Sequence, residues 1–167
     1  IDYLREKFNP AQTVIAREAG NSIGTDSSIT YRQAFSKIES VGRGVNMIVN
    51  ACASLDYDVK DKLAEGVVLG TRAKGLTLLL NHRPNPYQSA QDFRKNLFTD
   101  FILEGNAFIY YDGVFMYHLP ATQVEILTDE KTFIKGYRYN GTVDFKDTEV
   151  FSFKDISGDS IYRGSSR

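Results

Sequence analysis

A change of hydrophobic period near residue 105 constrains the fold more than any other feature of this sequence. Upstream, apolar residues recur every three or four positions, the spacing of one helix face, whereas downstream they alternate in short runs typical of strands. Helices therefore precede strands, without the strand and helix alternation of a parallel sheet. The pattern predicts an α+β fold in which N-terminal helices are followed by an antiparallel β meander.

Three helices are predicted upstream of the change. The first covers about 30–54 and starts with a capping box formed by Thr30 and Gln33. A short leucine-rich helix ends before Pro84, and a third helix starts at Ser89 and ends at a glycine, Gly105. The predicted apolar face of the first helix consists of Ile38, Val41, Val45, Ile48, Cys52 and Leu55.

Strands are predicted mainly downstream of Gly105. Asp112-Gly113 and Asn140-Gly141 are dipeptides that favour two-residue hairpin turns. Two further short strands are predicted between the helices, at 55–59 and 67–70. The downstream strands are predicted at 106–111, 114–119, 124–127, 133–139, 142–145 and 149–153.

Composition excludes several classes of protein. The 167 residues carry 20 Lys and Arg against 21 Asp and Glu, so the whole domain lacks the basic charge of a nucleic-acid or anionic-membrane binder. A single cysteine, Cys52, excludes an internal disulfide and favours a reducing or redox-indifferent compartment. No apolar run approaches the ~20 residues of a membrane span. The sequence predicts a soluble protein, cytosolic where it is made.

Motifs for catalysis or metal binding are weak. His82 and His118 belong to no spaced metal pair, and Cys52 lies on an apolar helix face without an adjacent base. The basic pair Arg94-Lys95 is interpreted as a solvated helix face. A small hydrolase using His118 with Asp112 or Glu125 is the least favoured hypothesis, and we expect no enzyme, cofactor or metal.

A binding module is the alternative hypothesis. The aromatic strands could form a stacking platform for single-stranded nucleic acid or a peptide, with Tyr110 and Tyr137 as its main contacts. Such platforms are normally interleaved with Lys and Arg, and residues 101–130 contain neither. Core and interface packing therefore explains the aromatic residues better.

Several short sequence motifs in a fixed order resemble those of a known family. LLLNHRPNPY at 78–87 is followed by SAQDF at 89–93 and FILEGNAFIY at 101–110. LPATQVEI at 119–126, YRY at 137–139 and GSSR at 164–167 then follow in that order. This order resembles the portal proteins of tailed double-stranded DNA bacteriophages, of the type found in long-tailed phages. The similarity spans about residues 30–167.

The residues at the matching positions determine the backbone conformation and carry no catalytic chemistry. The prolines fix a rigid turn, the asparagines bond to nearby backbone, and the glycines serve tight turns and a helix stop. One position departs from the pattern, because relatives often have a histidine in the strand before the Gly-x-Ser element, where this chain has FSF at 151–153. The structural motif residues are Asn81, Pro84, Asn85, Pro86, Gly105, Asn106, Asp112, Gly113, Pro120 and Gly164.

The resemblance implies a structural subunit. It implies a homo-oligomeric ring, typically of twelve copies, at one vertex of the capsid, where it forms the passage for genome packaging and ejection and the head-to-tail connection. The implied partners are the major capsid protein, the packaging terminase, neck and tail connector proteins, and the double-stranded DNA passing through the ring, with no membrane. The implied location is the virion, and the host cytoplasm during assembly.

The resemblance also implies a division of the chain. Residues 1–29 are predicted to form a partly irregular N-terminal arm, and residues 30–167 a wing-like α+β domain. The stem helices and clip of the family are expected after Arg167, so the chain is interpreted as a fragment of a longer subunit.

Overall fold

The computed structural model describes residues 29–60, 71–129, 133–156 and 162–164. In these residues four α-helices precede six β-strands, so the predicted α+β fold is confirmed. The predicted strand at 67–70 and, apart from Ile29, the predicted arm at 1–29 lie outside the described residues. No helix among the described residues is long and apolar enough to cross a membrane.

The helices are α1 (Tyr31–Lys37), α2 (Glu39–Ala53), α3 (Thr71–Asn81) and α4 (Ala90–Glu104). The strands are β1 (Asn106–Tyr111), β2 (Met116–Leu119), β3 (Val124–Asp129), β4 (Phe133–Tyr139), β5 (Val143–Lys146) and β6 (Val150–Lys154). Short 3-10 turns, Ala121–Gln123 and Asp147–Glu149, precede β3 and β6.

The first predicted helix is two helices. The capping box of Thr30 and Gln33 is present, but Ile38 adopts extended backbone (φ -106, ψ 106) and separates α1 from α2. The prediction of one continuous helix was wrong because two consecutive helices with a one-residue break keep almost the same apolar spacing as one. Gly42 lets the two helices approach closely, since a Cβ there would lie 3.0 Å from the carbonyl oxygen of Phe35.

The buried face of α2 also differs from the prediction. Val49 and Ala53 are the buried apolar residues of α2, whereas Ile48 is 53% exposed. Leu55, just beyond the helix, is 57% exposed. Small residues therefore face the protein interior, and part of the predicted apolar face is left towards solvent.

Residues 55–59 form no strand, contrary to the sequence prediction. The backbone of this segment bonds to side chains of α3 instead of to a second strand: Tyr57 N donates to Asn81 Oδ1 at 3.0 Å and Val59 N to Thr77 Oγ1 at 3.0 Å. Alternation of apolar residues indicated an extended backbone. A β-ladder forms only where a neighbouring extended segment is available to pair with it.

The strands form two three-stranded antiparallel sheets with the orders β2-β1-β6 and β3-β4-β5. A plain meander was predicted, but the last strand returns to pair with the first, placing Ile109 opposite Phe151. A turn at Asn140-Gly141 is present, with both residues at positive φ (51° and 73°), but Tyr139 pairs with Val143, so three residues connect β4 to β5 instead of the predicted two. The predicted second strand starts at Met116 instead of Val114, because a four-residue loop replaces the predicted two-residue turn.

The alternating residues of β1 divide the core into two layers. Phe108 faces the second sheet, where it packs with Val124, Ile126 and Tyr137. Ala107 and Ile109 face the helices and pack with residues of α4 that include Phe93 and Leu97. The sheet β2-β1-β6 is thus covered on one side by helices and on the other by the second sheet, which fixes the positions of the loops at both of its ends.

Candidate functional site

The turn between α3 and α4 is bound to the start of β2. Pro84 is fully buried and its carbonyl oxygen accepts from Met116 N at 2.8 Å. Asn85 is 1% exposed; its Nδ2 donates to Met116 O at 2.8 Å and its Oδ1 accepts from Tyr87 N at 2.9 Å. Pro86 is exposed. The turn therefore supplies the hydrogen-bonding partner that the first residue of β2 would otherwise take from a strand.

Asn81 holds the end of α3 against the segment that follows α2. Its Nδ2 donates to Tyr57 O at 2.8 Å, and its Oδ1 accepts from Tyr57 N at 3.0 Å. The same Oδ1 accepts from Arg94 Nη1 at 3.1 Å. One amide side chain thus bridges three parts of the chain: α3, α4 and the segment at 55–60.

The interpretation of Arg94 as a solvated residue was wrong. Its side chain is buried, with Nε donating to Ala53 O and Nη1 to Leu80 O, both at 2.9 Å. The guanidinium carbon lies 5.8 Å from the ring centre of Tyr57, within the range of a cation–π contact. Arg94 caps the last carbonyl groups of two helices, a role that the adjacent Lys95 does not share.

Gly105, Asn106 and Gly164 form a buried junction at the start of β1. Gly105 ends α4 in the left-handed conformation (φ 67), and its carbonyl oxygen accepts from Asp155 N at 2.9 Å. Asn106 is 1% exposed; its Oδ1 accepts from Gly164 N at 2.9 Å, and its Nδ2 donates to Gly164 O at 3.1 Å and to Glu104 O at 2.7 Å. This junction ties residues 162–164 to the helix and strand at the centre of the fold.

Asp112 and Gly113 organise the loop between β1 and β2. Asp112 Oδ1 accepts from Phe115 N at 2.6 Å and from Val114 N at 2.8 Å, while Gly113 takes φ 99. These two backbone hydrogen bonds hold the pKa of Asp112 below its ordinary value. The connection has four residues, and the side chain of Asp112 closes it. A carboxylate is a stronger hydrogen-bond acceptor for the two nearby amides than the backbone carbonyl oxygen of a tight turn.

A charged cluster that the sequence prediction missed lies beside the junction of Gly105, Asn106 and Gly164. Asp100, 3% exposed, pairs through Oδ1 with Arg32 of α1, and its Oδ2 lies 2.8 Å from His118 Nε2. The same Oδ2 accepts from Ala121 N at 2.7 Å, and Arg32 Nε donates to Glu104 Oε1 at 2.6 Å. Pro120 positions that amide, since its carbonyl oxygen accepts from Gln123 N at 2.8 Å and starts the 3-10 turn.

Burial by itself raises the pKa of Asp100, but its partners reverse the effect. The hydrogen bonds from His118 and from the Ala121 amide, together with the charges of His118 and Arg32, hold its pKa below the ordinary value. Burial likewise lowers the pKa of Arg32, and the charges and hydrogen bonds of Asp100 and Glu104 outweigh it, so the pKa of Arg32 is raised. Asp100 and Arg32 are therefore charged at neutral pH, and the cluster joins α1, α4 and β2.

A signal for this cluster was present in the sequence. Asp100 and Glu104 continue the helix face of Phe93 and Leu97 at intervals of three and four residues, so two carboxylates stand on an otherwise apolar face. Acidic residues on a buried face require cationic or donor partners.

The geometry does not support the two alternative hypotheses. His118 pairs with Asp100, and neither Asp112 nor Glu125 is its partner, contrary to the hydrolase hypothesis. Tyr137 is 3% exposed and bonds to Ser152, so it offers no surface for stacking. Within the described ranges, no three metal-ligating side chains gather. Every motif residue described above, except Pro86, instead fixes the position of a turn, a cap or a strand end.

Comparison of the chain with known proteins shows the family to which it belongs. The family described as "Phage portal protein" matches residues 39–167, which include all ten motif residues. The chain belongs to the phage portal protein family. The match begins at the first residue of α2 and extends beyond the last described residue.

A portal protein of known identity resembles the chain over nearly its whole length. The portal protein of Escherichia phage T5 is 36% identical over 159 residues, which cover 93% of this chain and 39% of the T5 protein. The chain therefore spans about two fifths of the length of that relative.

Solved structures share the portal fold of the chain. A chain from the neck of an empty gene transfer agent (GTA) particle, computed with C6 symmetry, superposes with a TM-score of 0.67 at 17% identity, over 90% of this chain and 44% of that one. A chain from the neck of a native GTA particle, computed with C12 symmetry, gives a TM-score of 0.63 at 18% identity, over 92% and 42%. At these identities the likeness is one of fold.

Proposed function

We propose that the chain forms the wing of a portal subunit, with residues 30–167 as an α+β domain and residues 1–29 as an arm. The observation that carries the proposal is the match of the phage portal protein family to residues 39–167, a range that contains all ten motif residues. Those residues hold two sheets and three helices in a fixed relation, and the part of them that the structure describes gathers no metal-ligating cluster.

The subunits assemble into a closed ring at one capsid vertex in this proposal, with twelve copies as the expected number. The support is the likeness to chains from GTA particle necks that were computed with C12 and C6 symmetry. Most closed rings use one repeated contact between different surfaces of identical subunits. A wing built from rigid sheets and buried turns suits a ring whose repeated contact must be the same at every position.

The proposed ring is the passage for genome packaging and ejection and the head-to-tail connection. Its partners are the major capsid protein, the packaging terminase, neck and tail connector proteins, and the double-stranded DNA that passes through. The net charge of -1 suits a passage, because a strongly basic surface would bind phosphates and retain the DNA. The subunit is structural, and it is located in the virion and, during assembly, in the host cytoplasm.

Labelling of assembled particles tests this function. A peptide tag inserted at the exposed hairpin turn Asn140-Gly141 and decorated with gold-labelled antibody is expected to mark one vertex of each particle. The same tag on the major capsid protein, which marks all vertices or faces, is the control. Label spread evenly over the capsid, or restricted to unassembled protein, would contradict the proposal.

A further inference from the structure

Helix α2 exposes an uncharged apolar surface. Met47 is 72% exposed and Ile48 53%, and Ala51 and Leu55 are also exposed. Met47, Ile48 and Ala51 share one side of α2, away from the buried Val49 and Ala53, and Leu55 follows just beyond the helix end. These four residues are here called the α2 stripe. No charged residue occurs from 44 to 55, although solvent-facing helices normally carry several.

A second uncharged apolar surface is formed by other elements. A groove of about 380 Å³ lies between the end of α3, one side of α4, and strands β1 and β6. Its walls include Leu80, Phe98, Phe101 and Phe153, and the surface that it presents is entirely apolar. Arg94 contributes only its stem, since its guanidinium donates to backbone carbonyl groups of α2 and α3.

Phe153 reaches this groove from the edge strand β6. Along β6, Val150 and Ser152 face the second sheet, and Ser152 bonds to Tyr137. Phe151 and Phe153 point to the other side, with exposed fractions of 40% and 51%. Two aromatic side chains on an edge strand are therefore partly exposed, which isolated proteins usually avoid.

We propose that the α2 stripe of one copy of the chain binds in the apolar groove of the next copy. This inference rests on the proposed ring, because a ring of more than two copies needs two different surfaces on each subunit that fit one another. Both surfaces lack charge, so their contact desolvates no ion. The helical part of the stripe, from Met47 to Ala51, extends about 6 Å along the helix axis, at 1.5 Å per residue.

Charge substitution on each surface tests the contact in the longest natural form of the protein. Met47→Glu places a carboxylate on the stripe, and Phe153→Lys places an ammonium group in the groove; both side chains are more than half exposed, so the fold of the single copy is expected to persist. Each variant alone is expected to raise the concentration for half-assembly by about tenfold or more, since it buries an unpaired charge. Val114→Glu, at an exposed loop residue outside both surfaces, is the matched control.

A mixture of the two variants gives the decisive result. In an alternating ring, one contact places the carboxylate of the M47E variant beside the ammonium group of the F153K variant, and the next contact pairs native Met47 with native Phe153. We therefore expect the equimolar mixture to assemble, with even copy numbers only, measured by native mass spectrometry. Single variants that assemble like the wild type, or a mixture that stays unassembled, would overturn the proposed contact.

A disulfide experiment tests the same contact if a charge variant fails to fold. Met47→Cys combined with Phe153→Cys in a Cys52→Ala background is expected to give a ladder of covalently linked copies on oxidation, and neither single cysteine is expected to do so. Absence of the ladder while rings persist overturns the contact and leaves the ring standing. Absence of rings in the wild-type protein overturns the proposed function itself.

Discussion

Asn106 and Gly164 are joined by two reciprocal hydrogen bonds across 58 positions of the chain: Asn106 Oδ1 accepts from Gly164 N at 2.9 Å, and Asn106 Nδ2 donates to Gly164 O at 3.1 Å. An amide side chain thus pairs with a backbone peptide as a neighbouring strand would. Because Asn106 is the first residue of β1 and follows the left-handed Gly105, this pair fixes where residues 162–164 meet the centre of the wing.

Replacement of Asn106 tests the strength of this pair. Asn106→Ala removes both bonds to Gly164 and a third to Glu104 O, so we expect the free energy of unfolding to fall by about 2–4 kcal/mol. Urea denaturation of the variant and the wild type measures the difference. Asn96→Ala, at an exposed position of α4, is the control and is expected to change stability little. Equal effects at both positions would contradict the role of the pair.

Gly164 is required for space. A Cβ at this position would lie 2.5 Å from Asp155 N and 2.8 Å from Asp155 O, and closer still to Gly105 O, all of them backbone atoms. Gly164→Ala is therefore expected to destabilise the protein by about 1–3 kcal/mol.

Gly44→Ala is the matched control for this substitution. A Cβ at Gly44 meets nothing within 4 Å, and alanine favours a helix interior by about 1 kcal/mol over glycine. Opposite signs of the two changes in melting temperature are expected. A neutral Gly164→Ala would show that the close approach at residue 164 is not maintained in solution.

Arg94 is expected to be the more important member of the basic pair on α4. Arg94→Met retains much of the side-chain volume but removes three hydrogen bonds, two of them to the carbonyl oxygens of Ala53 and Leu80, and we expect a loss of about 2–4 kcal/mol. Lys95→Met is the neighbouring control, with an expected change below about 0.5 kcal/mol. Thermal unfolding of both variants distinguishes the buried role from a solvated helix face, for which the two losses would be similar.

Acid is expected to weaken the Asp100 cluster. The pKa of Asp100 is lower in the folded protein than its ordinary value of 3.8, so its carboxylate adds stability that is present above the unfolded pKa and is lost as pH falls through the folded pKa. Stability is therefore expected to decline as pH falls below about 5, and Asp100→Asn is expected to flatten that decline while lowering stability at pH 7.

Denaturation series between pH 7 and pH 3 measure this dependence. Asp58→Asn, at an exposed aspartate, is the control and is expected to keep the wild-type slope. An Asp100→Asn variant that keeps the full wild-type acid dependence would show that other carboxyl groups are responsible.

Local signals predicted the two ends of α4 and the position of one hairpin turn correctly. Ser89 caps α4, with its side chain accepting from Asp92 N, Gly105 ends the same helix, and Asn140-Gly141 forms the predicted turn. In each case the conformation depends on one or two residues and their own backbone: a hydroxyl near free amides, or residues that tolerate positive φ. Neighbours distant in sequence have little influence on such features.

Features that depend on distant partners were not predictable in the same way. Alternation at 149–153 indicates a strand, but only the folded chain shows that β6 pairs with β1. The loop at Asp112 forms because two backbone amides donate to the Asp112 carboxylate, and a tight turn does not form. Asp100 draws its partners from α1, β2 and the turn at Ala121, and no single stretch of sequence contains them.

The exposed side of α2 shows a further limit of periodicity. The spacing of apolar residues indicates a face that avoids water, but it does not state whether the protein's own core or a second molecule covers it. The structure covers Val49 and Ala53 and leaves Met47 and Ile48 exposed. The prediction of the apolar face was therefore wrong for Ile48 and Leu55, whereas its members Val41, Val45 and Cys52 are partly buried. The exposed part supports the proposed contact between copies.

The mass of the assembled protein tests the central claim most directly. Native mass spectrometry of the longest natural form, purified from assembled particles, is expected to give one closed oligomer of about twelve copies, in keeping with a ring built from repeated identical contacts. A stable monomer, or an open series of oligomers without a preferred copy number, would contradict the account of this chain as the wing of a portal ring.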